Sequence, residues 1–202
     1  MTGPANQSDS CVGSSDIAGA EPDKARAAPV RLAPPIFEIV LHEPEIPNNT
    51  GNIGRTCIAT GCSLHLIRPL GFDTNEKACR RAGLDYWPRL GVVEHDTLDD
   101  YISARRPARV WVFTTKGTRS LWDVPLALGD TMLFGKETAG VPESVLAMYP
   151  QTLVRLPLMP GERSLNLATA VCAAVFEGLR QLHADGRLRL TPELCIEPSS
   201  LA

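Results

Sequence analysis

The amino-acid sequence predicts an α/β fold in which a mainly parallel sheet carries helices on both faces. The first observation is that, from Ile36 onward, about six short apolar or β-branched segments alternate with about five segments of helical periodicity. This alternation is typical of parallel sheets, because successive parallel strands need a crossover that is usually a helix. The second observation is size: 202 residues, 44% of them hydrophobic, are enough to bury one sizeable core.

Three strands and three helices are predicted in the first half of the domain, and a boundary residue supports each helix. Gly61 and Gly83 follow the first two helices, where glycine commonly ends a helix, and Asp96 precedes the third. In chain order the elements are a strand at 36–41, a helix at 51–60, a strand at 64–67, a helix at 74–82, a strand at 91–93 and a helix at 97–104.

Three strands and two helices are predicted in the second half, and the last helix has the clearest pattern. Its apolar residues recur every three or four positions, the spacing of one helical face, and Gly186 follows as a stop signal. The other helix, at 142–148, has Pro142 in its first turn. The strands are expected at 109–114, 131–134 and 153–156, and the apolar stripe of the last helix is Leu167, Val171, Val175, Leu179 and Leu182.

The composition divides the chain into a domain and two terminal segments. Residues 1–35 are rich in Ala, Ser, Gly, Pro and Asp without apolar periodicity, so we expect a disordered N-terminal extension. The domain is expected at 36–184 and a C-terminal tail at 185–202. The longest uncharged apolar stretch, near 167–176, is about half of the ~20 residues that a membrane span needs, and no signal peptide is recognisable. We therefore expect a cytoplasmic protein without membrane contact.

The sequence gives no support to a metal site or to nucleotide hydrolysis. The four histidines are far apart, and the six cysteines form no C-x-x-C pair, so we expect no metal and reduced thiols. No G-x-G-x-x-G occurs. The nearest approach to a Walker loop has the wrong spacing and continues with Glu137 where Ser or Thr should bind magnesium.

Four loops are the expected location of a ligand site, because ligands of parallel sheets bind beyond the carboxyl ends of the strands. These loops follow the strands that end near Leu41, Thr114, Phe134 and Leu156. Their sequences are EPEIPNNTGNIGR at 43–55, TKGT at 115–118, GKETAGVP at 135–142 and a segment at 157–167 that ends in GERSLNL.

Together with RRAGLDY at 80–86, these loops resemble the SPOUT superfamily of S-adenosylmethionine-dependent RNA methyltransferases. The resemblance covers about Ile36 to Leu182, with five long blocks in the same order. It is strongest to the members that methylate the ribose 2′-hydroxyl of the wobble cytidine or uridine, position 34, of tRNA. It implies a SPOUT-type fold with a C-terminal deep trefoil knot, S-adenosyl-L-methionine as cofactor, tRNA as partner, and a homodimer whose active site is shared between subunits.

The resemblance also implies a set of cofactor-binding residues. By this comparison the cofactor is held by loops at Phe113, Gly135, Leu156 and Ser164. Gly135 suits such a role because a residue without Cβ permits close approach of a ligand or a positive φ. The alternative is that Gly135 serves only the turn after its strand.

The resemblance identifies Arg55 as the principal catalytic residue. Because a guanidinium with a pKa above ~12 is a poor base, we prefer that Arg55 holds an RNA phosphate and stabilises the developing alkoxide, while water or that phosphate takes the proton. The alternative is an exposed helix arginine without a catalytic role.

Three further polar residues are candidates. Glu137 is predicted to orient Arg55 or to accept a hydrogen bond from ribose, the alternative being an exposed loop glutamate. Asn166, together with Ser164, begins the last helix, where capping and ligand binding are compatible. Asn52 is equally suited to capping the first helix and to contacting the substrate.

RNA binding has to rely on local patches, because the formal net charge is −3. Residues 101–122 carry five cations and no acid before Trp122, and a second group lies near Tyr86 and Trp87, which suit base stacking or else pack internally. Two alternative functions stay open: 2′-O-methylation of another RNA, such as ribosomal RNA, and an inactive RNA-binding module. The cations are Arg105, Arg106, Arg109, Lys116 and Arg119 in the first group, and Lys77, Arg80, Arg81 and Arg89 in the second.

Overall fold

A seven-stranded sheet forms the centre of the molecule. The computed structural model describes residues 35–74 and 86–198. The strands are β1 (Phe37–His42), β2 (Ser63–Ile67), β3 (Val93–His95), β4 (Val110–Phe113), β5 (Arg119–Ser120), β6 (Asp130–Phe134) and β7 (Leu153–Arg155). Their order across the sheet is β3-β2-β1-β6-β4-β7-β5, and every neighbouring pair is parallel. The parallel sheet predicted from the sequence is therefore confirmed.

Helices cover both faces of this sheet. They are α1 (Pro47–Thr60), α2 (Trp87–Leu90), α3 (Leu98–Arg105), α4 (Glu143–Met148) and α5 (Leu167–Ala184). Helices α1 and α5 share one apolar cluster, which contains Ile53 and Val175. Helices α3 and α4 share a second cluster, which contains Leu98 and Val145. No helix in the described ranges is long and apolar enough to cross a bilayer.

Strand β1 separates the two clusters by the alternation of its side chains. Ile39 and Leu41 belong to the cluster under α1 and α5, whereas Val40 belongs to the cluster under α3 and α4. All three are fully buried. A central strand of a two-faced sheet has to be apolar on both sides, which explains why 37–41 contains only one charged residue, Glu38.

Helix α1 begins four residues before the predicted start. Pro47 occupies its first turn, where a fixed φ near −65° favours the helix and the missing N–H costs nothing. The helix ends at Gly61 as predicted, with a left-handed φ of 71°. Asn52 consequently lies inside the helix, which excludes the capping alternative.

Other boundaries differ by a few residues or lie outside the described residues. Thr97 caps α3 in a capping box with Asp100, so the cap lies one residue after the predicted Asp96. Gly91 ends α2 with a φ of 59°, which delays β3 until Val93. The helix predicted at 74–82 lies almost wholly outside the described residues.

The segment after α5, expected to be a tail, contains an antiparallel hairpin of β8 (Leu188–Leu190) and β9 (Ile196–Pro198). Gly186 adopts a φ of 70°, and the Arg187 N–H then donates to the Leu182 carbonyl at 2.9 Å. This turn returns the chain along α5, and Leu188 is only 2% exposed within the cluster shared with α1. The strands are three residues long, too short for the alternation pattern to predict them.

A polar network is buried between the sheet and α3. The Tyr101 hydroxyl donates to Glu38 Oε2 at 2.6 Å and lies 2.7 Å from Thr131 Oγ1, and Arg105 Nε donates to Glu38 Oε1 at 3.0 Å. Burial alone would raise the pKa of the Glu38 carboxyl, but hydrogen bonds from Arg105 and Tyr101 outweigh it and hold the pKa below its ordinary value.

Two histidines extend this network toward the edge of the sheet. His65 Nδ1 lies 3.1 Å from His95 Nε2, and His65 Nε2 lies 3.2 Å from the Ser63 hydroxyl. Both imidazoles pack against the Tyr101 ring. Burial lowers the pKa of His65 to about 4, so this imidazole is neutral at physiological pH.

Candidate active site

A cavity of about 820 Å³ lies at the carboxyl ends of β4, β6 and β7, beside the start of α5. It is lined by residues from all four loops that the sequence analysis singled out. The four predicted cofactor-binding residues, Phe113, Gly135, Leu156 and Ser164, all line it. The structure therefore brings into one cavity residues that are up to 51 positions apart in the chain (164 − 113 = 51).

The base of the cavity is apolar. Phe113 and Phe134 are the last residues of neighbouring strands, and their rings stack with centroids 4.5 Å apart and planes 15° apart. Leu156 and Leu158 continue the apolar wall beyond β7. A cavity of several hundred Å³ with apolar walls and a few polar groups is typical of a small-molecule site. Its size and walls are suitable for the adenosine part of S-adenosylmethionine.

Gly135 is required by the chain's own backbone. A Cβ at this position would overlap the backbone of Gly140 and Val141. The loop folds back on itself here: the Gly140 N–H donates to the Lys136 carbonyl at 2.8 Å, and Gly140 has a φ of 70°. Gly135 is not among the residues with positive φ. Its absent side chain therefore permits the tight loop that forms one cavity wall.

This loop, 135–141, is held against the segment that leads into α1. Lys136 Nζ donates to Glu43 Oε2 at 2.9 Å, and the Thr138 hydroxyl donates to Glu45 Oε2 at 2.7 Å. The hydrogen bond to Glu43 raises the pKa of the Lys136 ammonium above its ordinary value. The loops after β1 and β6 thus form one unit at neighbouring strand ends.

Glu137 makes different contacts from those predicted. Its Oε2 accepts from the Glu45 N–H at 2.9 Å, and its Oε1 accepts from the Ile46 N–H at 3.3 Å and from Asn49 Nδ2 at 2.9 Å. Within the described part of this single chain Arg55 is not among its partners, so one subunit alone does not bring Glu137 to Arg55. The carboxylate instead accepts from N–H groups at the start of α1, where a negative charge is favourable.

Asn166 joins the same chain of hydrogen bonds from the other side. Its Nδ2 donates to Asn49 Oδ1 at 2.9 Å, and its Oδ1 accepts from the Ala168 N–H at 2.9 Å. Asn166 is therefore the N-cap of α5, while Ser164 lies two residues earlier and does not cap it. Glu137, Asn49 and Asn166 link the starts of α1 and α5 across the cavity.

Arg55 lies outside the main cavity. It lines a second cavity of about 500 Å³ between α1 and α5, together with Asn52, Cys172 and Phe176. Asn166 lines both cavities, so the two are neighbours. The Arg55 side chain is exposed, and its Cζ lies 4.6 Å from the centroid of the Tyr86 ring.

Two cations of the first predicted RNA patch pair with buried carboxylates, and a third forms an exposed ion pair. Arg105 pairs with Glu38, Arg109 with Asp130, and Lys116 with Glu143. Arg105 and Arg109 are therefore engaged by buried carboxylates, whereas Lys116 and Glu143 form an exposed pair that leaves Lys116 accessible to a phosphate.

In the second patch, Tyr86 is 2% exposed and packs on α1. Of the two alternatives left open for Tyr86, internal packing is the one observed. Lys77, Arg80 and Arg81 lie outside the described residues.

Sequence reasoning missed Asn49 as a site residue. It lies within the quoted loop at 43–55, but its role depends on Glu137 and Asn166, which are 88 and 117 positions away. One local signal exists: Asn49 is four and eight residues before the buried Ile53 and Cys57, so it is a polar residue on the buried face of α1.

Within the described ranges, no three His, Cys, Asp or Glu side chains are grouped so that they could hold a metal ion. The cysteines described, Cys57, Cys62, Cys172 and Cys195, are free thiols. Burial raises the pKa of the Cys62 thiol to about 11, so this group is protonated at neutral pH.

The fold and the cavity define a methyltransferase of a known class: the chain belongs to the SpoU rRNA methylase family, which matches it over residues 36–176. A tRNA (cytidine(34)-2′-O)-methyltransferase of Saccharophagus degradans is 47% identical over 152 residues, which cover 75% of this chain and 99% of the relative. The resemblance within the SPOUT superfamily to the tRNA wobble methyltransferase TrmL is therefore confirmed.

Two solved structures extend this comparison. One, concerned with the 2′-OH methylation of C/U34 on tRNA, is 45% identical with a TM-score of 0.69 and covers 75% of this chain and 99% of its own. The other, an AdoMet-bound rRNA methyltransferase from Sinorhizobium meliloti, is 26% identical with a TM-score of 0.63 and covers 72% of this chain and 56% of its own. The α/β fold predicted from the sequence is shared with both.

Proposed function

We propose that this protein transfers a methyl group from S-adenosyl-L-methionine to the ribose 2′-hydroxyl of the cytidine or uridine at position 34 of tRNA. The observation that carries the proposal is the convergence of Phe113, Gly135, Leu156 and Ser164 on one cavity. This chain matches 99% of the length of the S. degradans relative, whose name supports the choice of substrate.

The residues of the cavity fit the proposed cofactor, which supplies a methyl group bound to a sulfonium. The apolar wall of Phe113 and Leu156 offers a surface for an adenine ring, and the tight loop at Gly135 exposes backbone groups for its polar edges. Ser164 adds a hydroxyl at the rim. Because the reaction is an in-line displacement, these residues act by fixing the position of the donor relative to the incoming oxygen.

Arg55 is the proposed catalytic residue. In the reaction a C–S bond breaks, an O–C bond forms, and the hydroxyl proton leaves to water or to an RNA phosphate. The Arg55 guanidinium remains charged throughout, so it stabilises the negative charge that develops on the 2′-oxygen and holds the adjoining phosphate. Glu137 and Asn166 are proposed as positioning residues, because their side chains are hydrogen-bonded to the helix starts and to Asn49.

We further propose a homodimer that shares its active site. Arg55 lies outside the cofactor cavity, in a groove beside Phe176, which is 57% exposed. An exposed aromatic side chain next to a catalytic arginine is suited to contact with a second subunit. We also propose that the chain forms the deep trefoil knot of the superfamily. A cytoplasmic location is proposed as well, since tRNA is found there.

The function is tested by incubating the purified chain with labelled S-adenosylmethionine and either total tRNA or ribosomal RNA. We expect label in tRNA alone, and nuclease mapping should locate it at the 2′-oxygen of position 34. Labelling of ribosomal RNA would favour the alternative substrate. If neither RNA is labelled although the protein binds the cofactor, the chain would be an inactive RNA-binding module.

The role of Arg55 is tested by the Arg55→Ala variant. We expect cofactor affinity within about twofold of wild type and a loss of turnover of about 100-fold or more, since one preorganised charge is removed from the transition state. Comparable loss of cofactor affinity and turnover would show that Arg55 has a structural role instead.

A further inference from the structure

We propose that Tyr86 is a positioning residue, whose ring holds the Arg55 guanidinium ready for the substrate. This inference rests on the proposed function and adds a second residue to its catalytic apparatus.

The ring of Tyr86 is itself fixed in place. The side chain is 2% exposed, and its hydroxyl donates to the carbonyl of Gly51, one turn before Arg55 in α1. Arg55 Cζ lies 4.6 Å from the ring centroid, within the ~6 Å over which an aromatic face attracts a cation. A buried, hydrogen-bonded ring therefore supports an exposed and otherwise flexible side chain.

Gly54 makes this arrangement possible. A Cβ at this position would lie 2.8 Å from Leu90 Cδ2, 3.2 Å from Trp87 Cζ3 and 3.4 Å from Tyr86 Cε2. The missing side chain lets the start of α2 lie directly on α1, beside Arg55. The contact between the Tyr86 ring and the guanidinium thus follows from the close packing of two helices.

An aromatic support has a chemical advantage over a carboxylate. Among the described residues, Arg55 has no hydrogen-bonded or ionic partner. A carboxylate would occupy the N–H groups and neutralise the charge, whereas the face of a ring restricts the rotamers and leaves all five N–H donors free. Arg55 thereby keeps its full capacity for an RNA phosphate and for the 2′-oxygen, while less conformational entropy is lost when the RNA binds.

The test combines Tyr86→Leu with Arg55→Ala in a double-mutant cycle of single-turnover methylation rates, measured with labelled cofactor and tRNA. We expect Tyr86→Leu to lower the rate about tenfold with unchanged cofactor affinity. Tyr86→Phe, which keeps the ring, should restore the rate to within about twofold of wild type. In the Arg55→Ala background, followed over long single-turnover times, the Tyr86→Leu loss should largely disappear.

Leu90→Ala is the matched control for damage to the same helix contact. Leu90 packs over Gly54 and has no aromatic face to offer Arg55, so its truncation should lower the melting temperature but leave the rate within about twofold of wild type. Equal losses from Tyr86→Leu with and without Arg55 would overturn the inference, and so would failure of Tyr86→Phe to restore the rate. A wild-type chain that does not methylate tRNA would overturn the proposed function, and this inference with it.

Discussion

At Gly135 a single missing side chain determines the shape of a cavity wall. The carbonyl of Gly140 and the nitrogen of Val141 occupy the space that a Cβ would need, and neither can move without opening the loop at 135–141. The same loop places Lys136 and Glu137 against the segment that leads into α1. A change at Gly135 therefore also disturbs the hydrogen bonds that these two side chains make there.

We therefore expect Gly135→Ala to weaken cofactor binding about tenfold or more and to lower the free energy of unfolding by about 2 kcal/mol, the cost of overpacking a close contact. Titration calorimetry and chemical denaturation measure the two effects. Gly140→Ala is the matched control, because a Cβ there meets open space and costs only about 1 kcal/mol through its positive φ. Wild-type cofactor affinity in Gly135→Ala would contradict this account of the loop.

The candidate site was partly predictable at the level of residues. The four cofactor-binding candidates lie in continuous motifs, so their types and spacing could be recognised from the sequence. The partners of Glu137 could not, because they depend on the meeting of loops from opposite halves of the domain. The contact of Tyr86 with Arg55 depends in the same way on how α2 packs against α1.

At the level of elements, the helix α3 depends on a buried network that is sensitive to acid. In the folded chain the pKa of His65 is about 4, against an ordinary value of 6.5, because burial disfavours the imidazolium. The unfolded chain therefore binds more protons than the folded chain between these values, and stability must fall as the pH decreases from about 6.5 to about 4. The Glu38 carboxyl, whose pKa is lowered, adds to this loss at more acidic pH.

We expect wild type to lose about 2–3 kcal/mol of unfolding free energy between pH 7 and pH 4 through His65, the equivalent of its pKa shift. Denaturant unfolding at a series of pH values measures this slope. His65→Gln, which cannot be protonated in this range, should be less stable at pH 7 yet show a shallower slope. An unchanged slope in this variant would assign the acid sensitivity to other groups.

The elements themselves were predicted where the sequence pattern was long. The apolar stripe of α5 extends over four turns, and α5 is found at Leu167–Ala184. Strand β5 has two residues and the hairpin strands three each, so no alternation could be recognised there. These short strands exist because a neighbouring strand supplies their hydrogen bonds.

At the level of the whole molecule, the folded unit extends beyond residue 184. Leu188 lies in the same apolar cluster as residues of α1 and α5, so the hairpin of β8 and β9 adds to the main core. Its contribution follows from tertiary packing, which the composition of 185–202 does not reveal.

We expect Leu188→Ala to lower the free energy of unfolding by about 2–4 kcal/mol, the usual cost of removing a buried leucine side chain. Thermal or denaturant unfolding measures the change. Leu194, which is 77% exposed on the turn of the same hairpin, provides the matched control, and Leu194→Ala should change stability by less than about 0.5 kcal/mol. Similar small effects of both variants would show that the hairpin is not part of the core.

The pairing of Arg105 and Arg109 with buried carboxylates has a consequence for how the protein binds a polyanion. A cation that a buried carboxylate already neutralises displaces few counterions when RNA arrives, so Arg106, Lys116 and Arg119 carry most of the electrostatic effect of this stretch. The affinity for RNA will therefore vary with ionic strength less steeply than five cations in a row would imply.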